Sequence, residues 1–140
     1  MTGVLVDTDV ISEMTRPHPD ARVVRFLEQL DNGWLSMVTR HELHFGIALL
    51  PPSRRRDQLA EAVDSLLSTY ADRVLPILEA EADEAAAMRA RAQTSGRVMH
   101  LADAFLAATA AVHGLAIATR NVSDFAEFGI TVTDPWEPSG

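Results

Sequence analysis

Gly3-Val4-Leu5-Val6-Asp7 is a short apolar run that ends on a carboxylate. It reads as a buried strand. Outward from it, similar runs recur between helical stretches. Residues 10–14 predict a short helix, stopped near Arg16-Pro17-His18-Pro19. Asp20 follows as an N-cap. Val23, Val24, Phe26, Leu27 and Leu30 then recur at helical spacing until Asn32-Gly33 closes the helix. Residues 34–38 predict a second strand, and Thr39 begins a helix that ends near Leu50, before Pro51-Pro52. Arg54-Arg55-Arg56 falls in a loop or first turn, ahead of an amphipathic helix carrying Leu59, Ala62, Val63, Leu66 and Leu67. Residues 73–77 are a weaker strand, interrupted by Pro76. The Ala- and Glu-rich residues 79–94 predict a helix with Gly96 just past its end. A further helix spans 100–112, capped by Gly114. A strand over 115–119, a short helix over 122–127, a strand over 130–133 and a Pro135-Trp136 tail complete the chain. Strands that alternate with helices predict an α/β fold, a mainly parallel central sheet flanked by helices.

Composition narrows the function. The 140 residues are 47% hydrophobic and 23% charged, which suits a single domain over 1–140 with a real core. There is no cysteine, so a disulfide scaffold, a thiolate zinc site and a cysteine nucleophile are excluded. All 12 basic residues are Arg, which removes every lysine-based mechanism. Met1-Thr2-Gly3-Val4 has no basic start followed by a long apolar run, so no signal peptide is expected. The apolar residues 101–118 are broken by Asp103, His113 and Gly114, and predict a buried helix plus a strand rather than a membrane span. A cytoplasmic protein is expected. The net charge of −8 argues against a nonspecific nucleic-acid coat. It suits a chain that gathers carboxylates in one place or meets a basic partner.

In open α/β sheets, sites form outside the carboxyl ends of the strands. Asp7 ends the first strand. Thr39, with Glu42 one turn later, follows the second. Asn121 and Asp124 follow the fourth, and Asp103 starts the preceding helix. Each also has a local reading. Asp7 and Asp124 fit helix caps. Thr39-Arg40-His41-Glu42 fits a capping box. Asp103 complements a helix dipole, but its apolar neighbours make a lone charge costly there. Taken together, carboxylates in one pocket repel one another unless a cation lies between them. Mg²⁺ or Mn²⁺ suits such oxygen donors and the hydrolysis of phosphodiesters. His41 and His44 have the i, i+3 spacing of a zinc pair but lack an identifiable third ligand. His100 is either a pocket residue or a surface helix start. Met88 and Met99 are expected to fill core. Arg54 to Arg56 form a solvated run or touch phosphate. Arg120, beside the proposed site, is a stronger phosphate contact.

Five segments, in order, resemble one family. Val4-Leu5-Val6-Asp7-Thr8-Asp9-Val10-Ile11-Ser12-Glu13 resembles the opening of PIN-domain ribonucleases. Thr39-Arg40-His41-Glu42-Leu43-His44-Phe45-Gly46, Ala102-Asp103-Ala104-Phe105-Leu106-Ala107-Ala108-Thr109-Ala110 and Thr119-Arg120-Asn121-Val122-Ser123-Asp124-Phe125 resemble its later motifs, and Asp134-Pro135-Trp136 its ending. The subgroup is the VapC and FitB-like toxins of type II toxin–antitoxin pairs. The resemblance implies a PIN domain with a Mg²⁺- or Mn²⁺-dependent endoribonuclease activity. It assigns Asp7, Glu42 and Asp103 to the acidic site. The fourth position falls at Asn121 or Asp124, and Asp124 is taken because Asn121 is neutral. Asp9 stands where the family usually has Asn. In the scheme this implies, Asp7 and Asp103 hold the main ion, Glu42 and Asp124 reach it through water or help hold a second, and Thr119 or Thr8 orients water. The resemblance further implies an RNA substrate, a homodimer and a cognate antitoxin with a basic inhibitory segment.

Two rivals remain at this level. Asp7-Thr8-Asp9 also fits a haloacid-dehalogenase-type phosphatase with Asp7 as nucleophile and Asp9 as general acid. That scheme needs a later basic residue, usually Lys, and a second acidic motif. The other rival is a non-catalytic PIN-fold binding module, against which the complete acidic set argues.

Overall fold

The computed structural model describes residues 3–137. The reading at Met1-Thr2 and the last three positions of the domain span lie outside the described residues. Five strands form one sheet: β1 (Val4–Val6), β2 (Gly33–Ser36), β3 (Val74–Leu75), β4 (Ala116–Ala118) and β5 (Val132–Thr133). Their order is β3-β2-β1-β4-β5, and every neighbouring pair is parallel. Val4 pairs with Gly33 on one side and Ala116 on the other. The chain moves outward from β1 to β3, then returns to lay β4 against the other side of β1. That reversal puts a topological switch point between β1 and β4, with all the carboxyl ends along one edge.

The helices among the described residues are α1 (Thr8–Glu13), α2 (Ala21–Gln29), α3 (Met37–Leu49), α4 (Arg54–Thr69), α5 (Glu79–Thr94), α6 (Leu101–His113) and α7 (Val122–Ala126). Consecutive strand residues face opposite ways, so β1 feeds two cores. Leu5 belongs to one with Met88, Ala107, Leu106, Ile117 and Phe125. Val6 belongs to the other with Val10, Ile11, Leu35, Leu43, Val63 and Trp136. Leu5 and Val6 are both fully buried, as a strand covered on both faces requires. The alanines of α5 and α6 let these two helices pack closely. No helix of the described residues is long and apolar enough to cross a membrane.

Several boundaries differ from the sequence expectation. Gly33 does not close a helix. α2 ends at Gln29, and Gly33 opens β2, where a Cβ would lie 3.0 Å from Leu30 and 3.4 Å from Tyr70. Pairing with β1 and this close approach decide its place. β2 stops at Ser36, whose hydroxyl accepts from the Val38 N–H at 3.0 Å. Ser36 is therefore the N-cap of α3, and the capping box from Thr39 to Glu42 does not form. α1 begins at Thr8, earlier than expected, because Asp7 caps it. Arg54 to Arg56 occupy the first turn of α4 behind the Ser53 cap. His100 is the N-cap residue of α6, with no side-chain cap bond, and Gly114 ends that helix in the left-handed region at φ 65°. β4 and β5 are shorter than expected. Trp136 is no loose tail, being 5% exposed.

Candidate active site

Asp7 sits where β1 meets α1 and is fixed from three sides. Its N–H donates to the Ala118 carbonyl at 2.9 Å, tying it to the end of β4. Its Oδ1 accepts from the Thr8 N–H at 2.6 Å, and its Oδ2 from the Thr119 hydroxyl at 2.8 Å. The cap reading and the site reading of Asp7 thus hold together. Burial pushes the Asp7 carboxyl up to about 7, and the Asp9 charge adds to it. The Thr119 and Thr8 hydrogen bonds offset part of this, and the charge of Asp103 adds a smaller upward push.

Asp9 is the second residue of α1, in its first turn. Its Oδ2 accepts from the Arg120 backbone N–H at 3.0 Å, while its Oδ1 is buried with no hydrogen-bond partner. Burial raises the Asp9 carboxyl above its ordinary value. The Asn121 N–H donates to the Thr119 oxygen at 3.0 Å, so the loop after β4 is braced on Thr119.

From the other side, α3 brings Thr39 and Glu42 to α1. The Thr8 hydroxyl donates to Glu42 Oε1 at 3.0 Å and lies 3.0 Å from the Thr39 hydroxyl. Glu42 therefore serves the edge of the sheet, not the start of its own helix.

The N-terminus of α6 supplies Asp103, half-buried, and α7 supplies Asp124, exposed. Both line a cleft of about 220 Å³ with His100, Met99, Arg97 and Phe128. Burial raises the Asp103 carboxyl most. The charges of Asp124 and Glu42 add to this, His100 opposes it, and Asp9 adds a smaller upward push. Asp7, Asp9, Glu42, Asp103 and Asp124 thus share one electrostatic environment. Asn121 adds no charge to it.

His100 beside Asp103 and Arg120 beside Asp9 offset only part of that charge. Among the described residues no three His, Asp or Glu side chains close into a ready-made coordination cage. The site is an open arc of hard oxygen donors, two of whose carboxyls are raised partly by neighbouring carboxylates, with one buried carboxylate oxygen unpartnered. Such a set fits a divalent cation that binds a few carboxylates and keeps water, as Mg²⁺ does.

The remaining candidates fall elsewhere. His41 is exposed and stacks on Phe45, ring centroids 6.2 Å apart, so α3 offers no zinc pair built with His44. Met88 is buried in the core, and Met99 packs against it while lining the cleft. The phosphatase rival lacks the later lysine its scheme usually needs, since the chain has none. Sequence reasoning did not find the Arg120 guanidinium 4.1 Å above the Trp136 ring. No local pattern signals this stack, because β5 and the turn after it must fold back to make it.

Known proteins resemble this chain along nearly its whole length. The family model described as PIN domain matches residues 4–130. The VapC ribonuclease Y4jK of Sinorhizobium fredii is 37% identical, across 97% of this chain and 99% of its own length. Toxin FitB of Neisseria gonorrhoeae is 40% identical, across 95% of this chain and 98% of its own. The crystal structure of FitAcB from Neisseria gonorrhoeae superposes with a TM-score of 0.88 at 39% identity, covering 96% of this chain and 99% of that one.

Proposed function

This chain belongs to the PIN domain family, and from that premise we propose that it is a metal-dependent endoribonuclease, the toxin of a toxin–antitoxin pair. The observation that carries this reading is the convergence of Asp7, Glu42, Asp103 and Asp124 on the carboxyl edge of the sheet, with Asp7 and Asp103 raised by burial and by neighbouring charge. Similarity to a VapC ribonuclease and to toxin FitB supports it.

Asp7 and Asp103 are the residues we assign to hold the ion, with Glu42 and Asp124 completing the acidic set. Mg²⁺ or Mn²⁺ bound there would stabilise charge on the phosphoryl oxygens and lower the pKa of a water nucleophile. The protein's own groups do the rest. Thr119 holds Asp7 in one orientation through the 2.8 Å bond, and Thr8 does the same for Glu42 at 3.0 Å. The acidic cleft also suits a basic segment of an antitoxin, because a guanidinium entering it would relieve the same repulsion an ion relieves.

The test is cleavage of total cellular RNA by purified protein freed of any partner, with Mg²⁺, Mn²⁺ or EDTA. Cuts at discrete sites are expected with metal, and none with EDTA or in Asp103→Asn. Folded protein that binds metal and leaves every RNA intact would overturn the ribonuclease reading.

A further inference from the structure

We propose that Arg120 is a substrate-binding residue whose guanidinium, held over Trp136, grips a backbone phosphate of the RNA beside the acidic site. This rests on the ribonuclease reading and adds a named binding residue to it.

Three arginines of the described residues lie over aromatic rings. Arg73 lies 4.9 Å from the Tyr70 ring centroid, but its N–H groups donate to the Gly33 carbonyl at 3.1 Å and the Thr69 carbonyl at 3.2 Å. Arg91 lies 5.9 Å from Phe128 and pairs with Glu84 at 3.6 Å. Arg120 has the closest stack, 4.1 Å, and among the described residues its guanidinium forms no ion pair or hydrogen bond. Neither neighbouring carboxylate, Asp20 or Asp9, forms an ion pair with it, although its charge bears on both. Asp20 binds Arg22 through both oxygens, at 3.1 and 2.8 Å. Asp9 Oδ2 takes the Arg120 backbone N–H instead.

An exposed guanidinium that forms no ion pair, in a chain of net charge −8, is a donor set kept open for an external anion. Its position fits phosphate. The backbone of Arg120 touches Asp9, two residues from Asp7, so the side chain starts at the rim of the acidic arc. Trp136 is packed into the core with Val6 and Val10, so its ring is a fixed platform. Stacking on it uses the face of the guanidinium and leaves the edge N–H groups free for two oxygens of one phosphate. Holding the fork in place beforehand reduces the ordering cost on binding. A single positive arm beside an acidic pocket also offsets its repulsion of a polyanion.

The side chain can be changed without losing the backbone bond to Asp9. In an Asp103→Asn background, which leaves bound RNA uncut, affinity for a fluorescein-labelled single-stranded RNA of mixed sequence is measured by anisotropy across a salt series. Arg120→Gln is expected to weaken binding about tenfold. It should also reduce the slope of log K against log salt by about 0.7, the value for one fewer phosphate neutralised on a single strand. Arg120→Lys should restore the slope but not the full affinity, because an ammonium keeps the charge and loses the fork. Trp136→Phe should weaken binding in the Arg120 protein and have no effect in Arg120→Gln. If Arg120→Gln binds with unchanged affinity and slope while the parent binds RNA, the proposal is wrong and the ribonuclease reading stands. If wild-type protein neither binds nor cuts RNA, the ribonuclease reading fails and this proposal fails with it.

Discussion

At the scale of single residues, Asp7 concentrates most of the physics. It caps α1, ties β1 to β4 and carries the carboxyl pushed up to about 7. In the unfolded chain that carboxyl titrates near its ordinary 3.8. Between those values the folded state holds a proton that the unfolded state has lost. Stability is therefore greatest below the lower value and falls as pH rises through the upper one. Metal-free protein should lose up to about 1.4 kcal/mol per pH unit from this group across that window. Asp7→Asn keeps a cap oxygen and should flatten the loss, so its melting temperature in EDTA at about pH 8 should exceed that of wild type. Divalent ions should restore the wild type and not the variant. Equal pH profiles for the two proteins would refute this account. Asp7 and Asp103 stand out in the sequence because a carboxylate at the end of an apolar run, or inside one, is costly to bury. The orphaned oxygen of Asp9 does not, since it depends on which face of that side chain the Arg120 backbone reaches.

At the scale of elements, the start of α3 is the instructive case. Thr39 reads as the cap because Glu42 follows it at capping-box spacing. Ser36 takes that place because β2 must stop where its pairing with β3 ends, at Ser36 opposite Leu75. The helix then starts early enough to leave Thr39 buried and Glu42 turned to Thr8. The long helix α5 is legible to its boundaries, since its Ala- and Glu-rich composition is decided locally. The short strands are not, because two- and three-residue strands exist only through their partners. Ser36→Ala should cost about 1 kcal/mol, the usual loss for a serine cap. That corresponds to a melting point lower by about 3 °C for a chain of this size. Ser36 is fully buried, so the control is Ser36→Thr, which keeps the cap hydroxyl without burying a charge and should lose less than Ser36→Ala. Calorimetry of the pair checks the assignment, which fails if Ala and Thr melt alike.

At the scale of the whole molecule, alternation of strands and helices is enough to predict the parallel sheet, and parallelism alone gathers the candidate residues on one edge. What alternation does not supply is the strand order, which depends on β4 returning to β1. Exposed apolar residues then mark one further face. Met37, Phe45 and Leu49 recur along α3 with His41, and Leu101 of α6 lies beside them. Met37, His41, Leu101 and Phe105 line a groove of about 440 Å³ there. This face supports the reading of a homodimer. Light scattering should give about twice the 15.3 kDa chain mass for wild type, and the single-chain mass for Phe45→Glu with unchanged circular dichroism. A monomeric wild type would reject the dimer.

The stack of Arg120 on Trp136 makes the protein its own optical instrument. The chain has 2 tryptophans. Trp34 sits on β2 with its indole N–H bonded to Asn32 at 2.8 Å, near the amino ends of the strands. Trp136 lies under the guanidinium at the opposite edge. Indole emission responds to a charge held over the ring, so Trp136 should report on that guanidinium and Trp34 should not. With Trp34 replaced by Phe, the remaining fluorescence would register, without any attached dye, each arrival and departure at the rim of the acidic cleft.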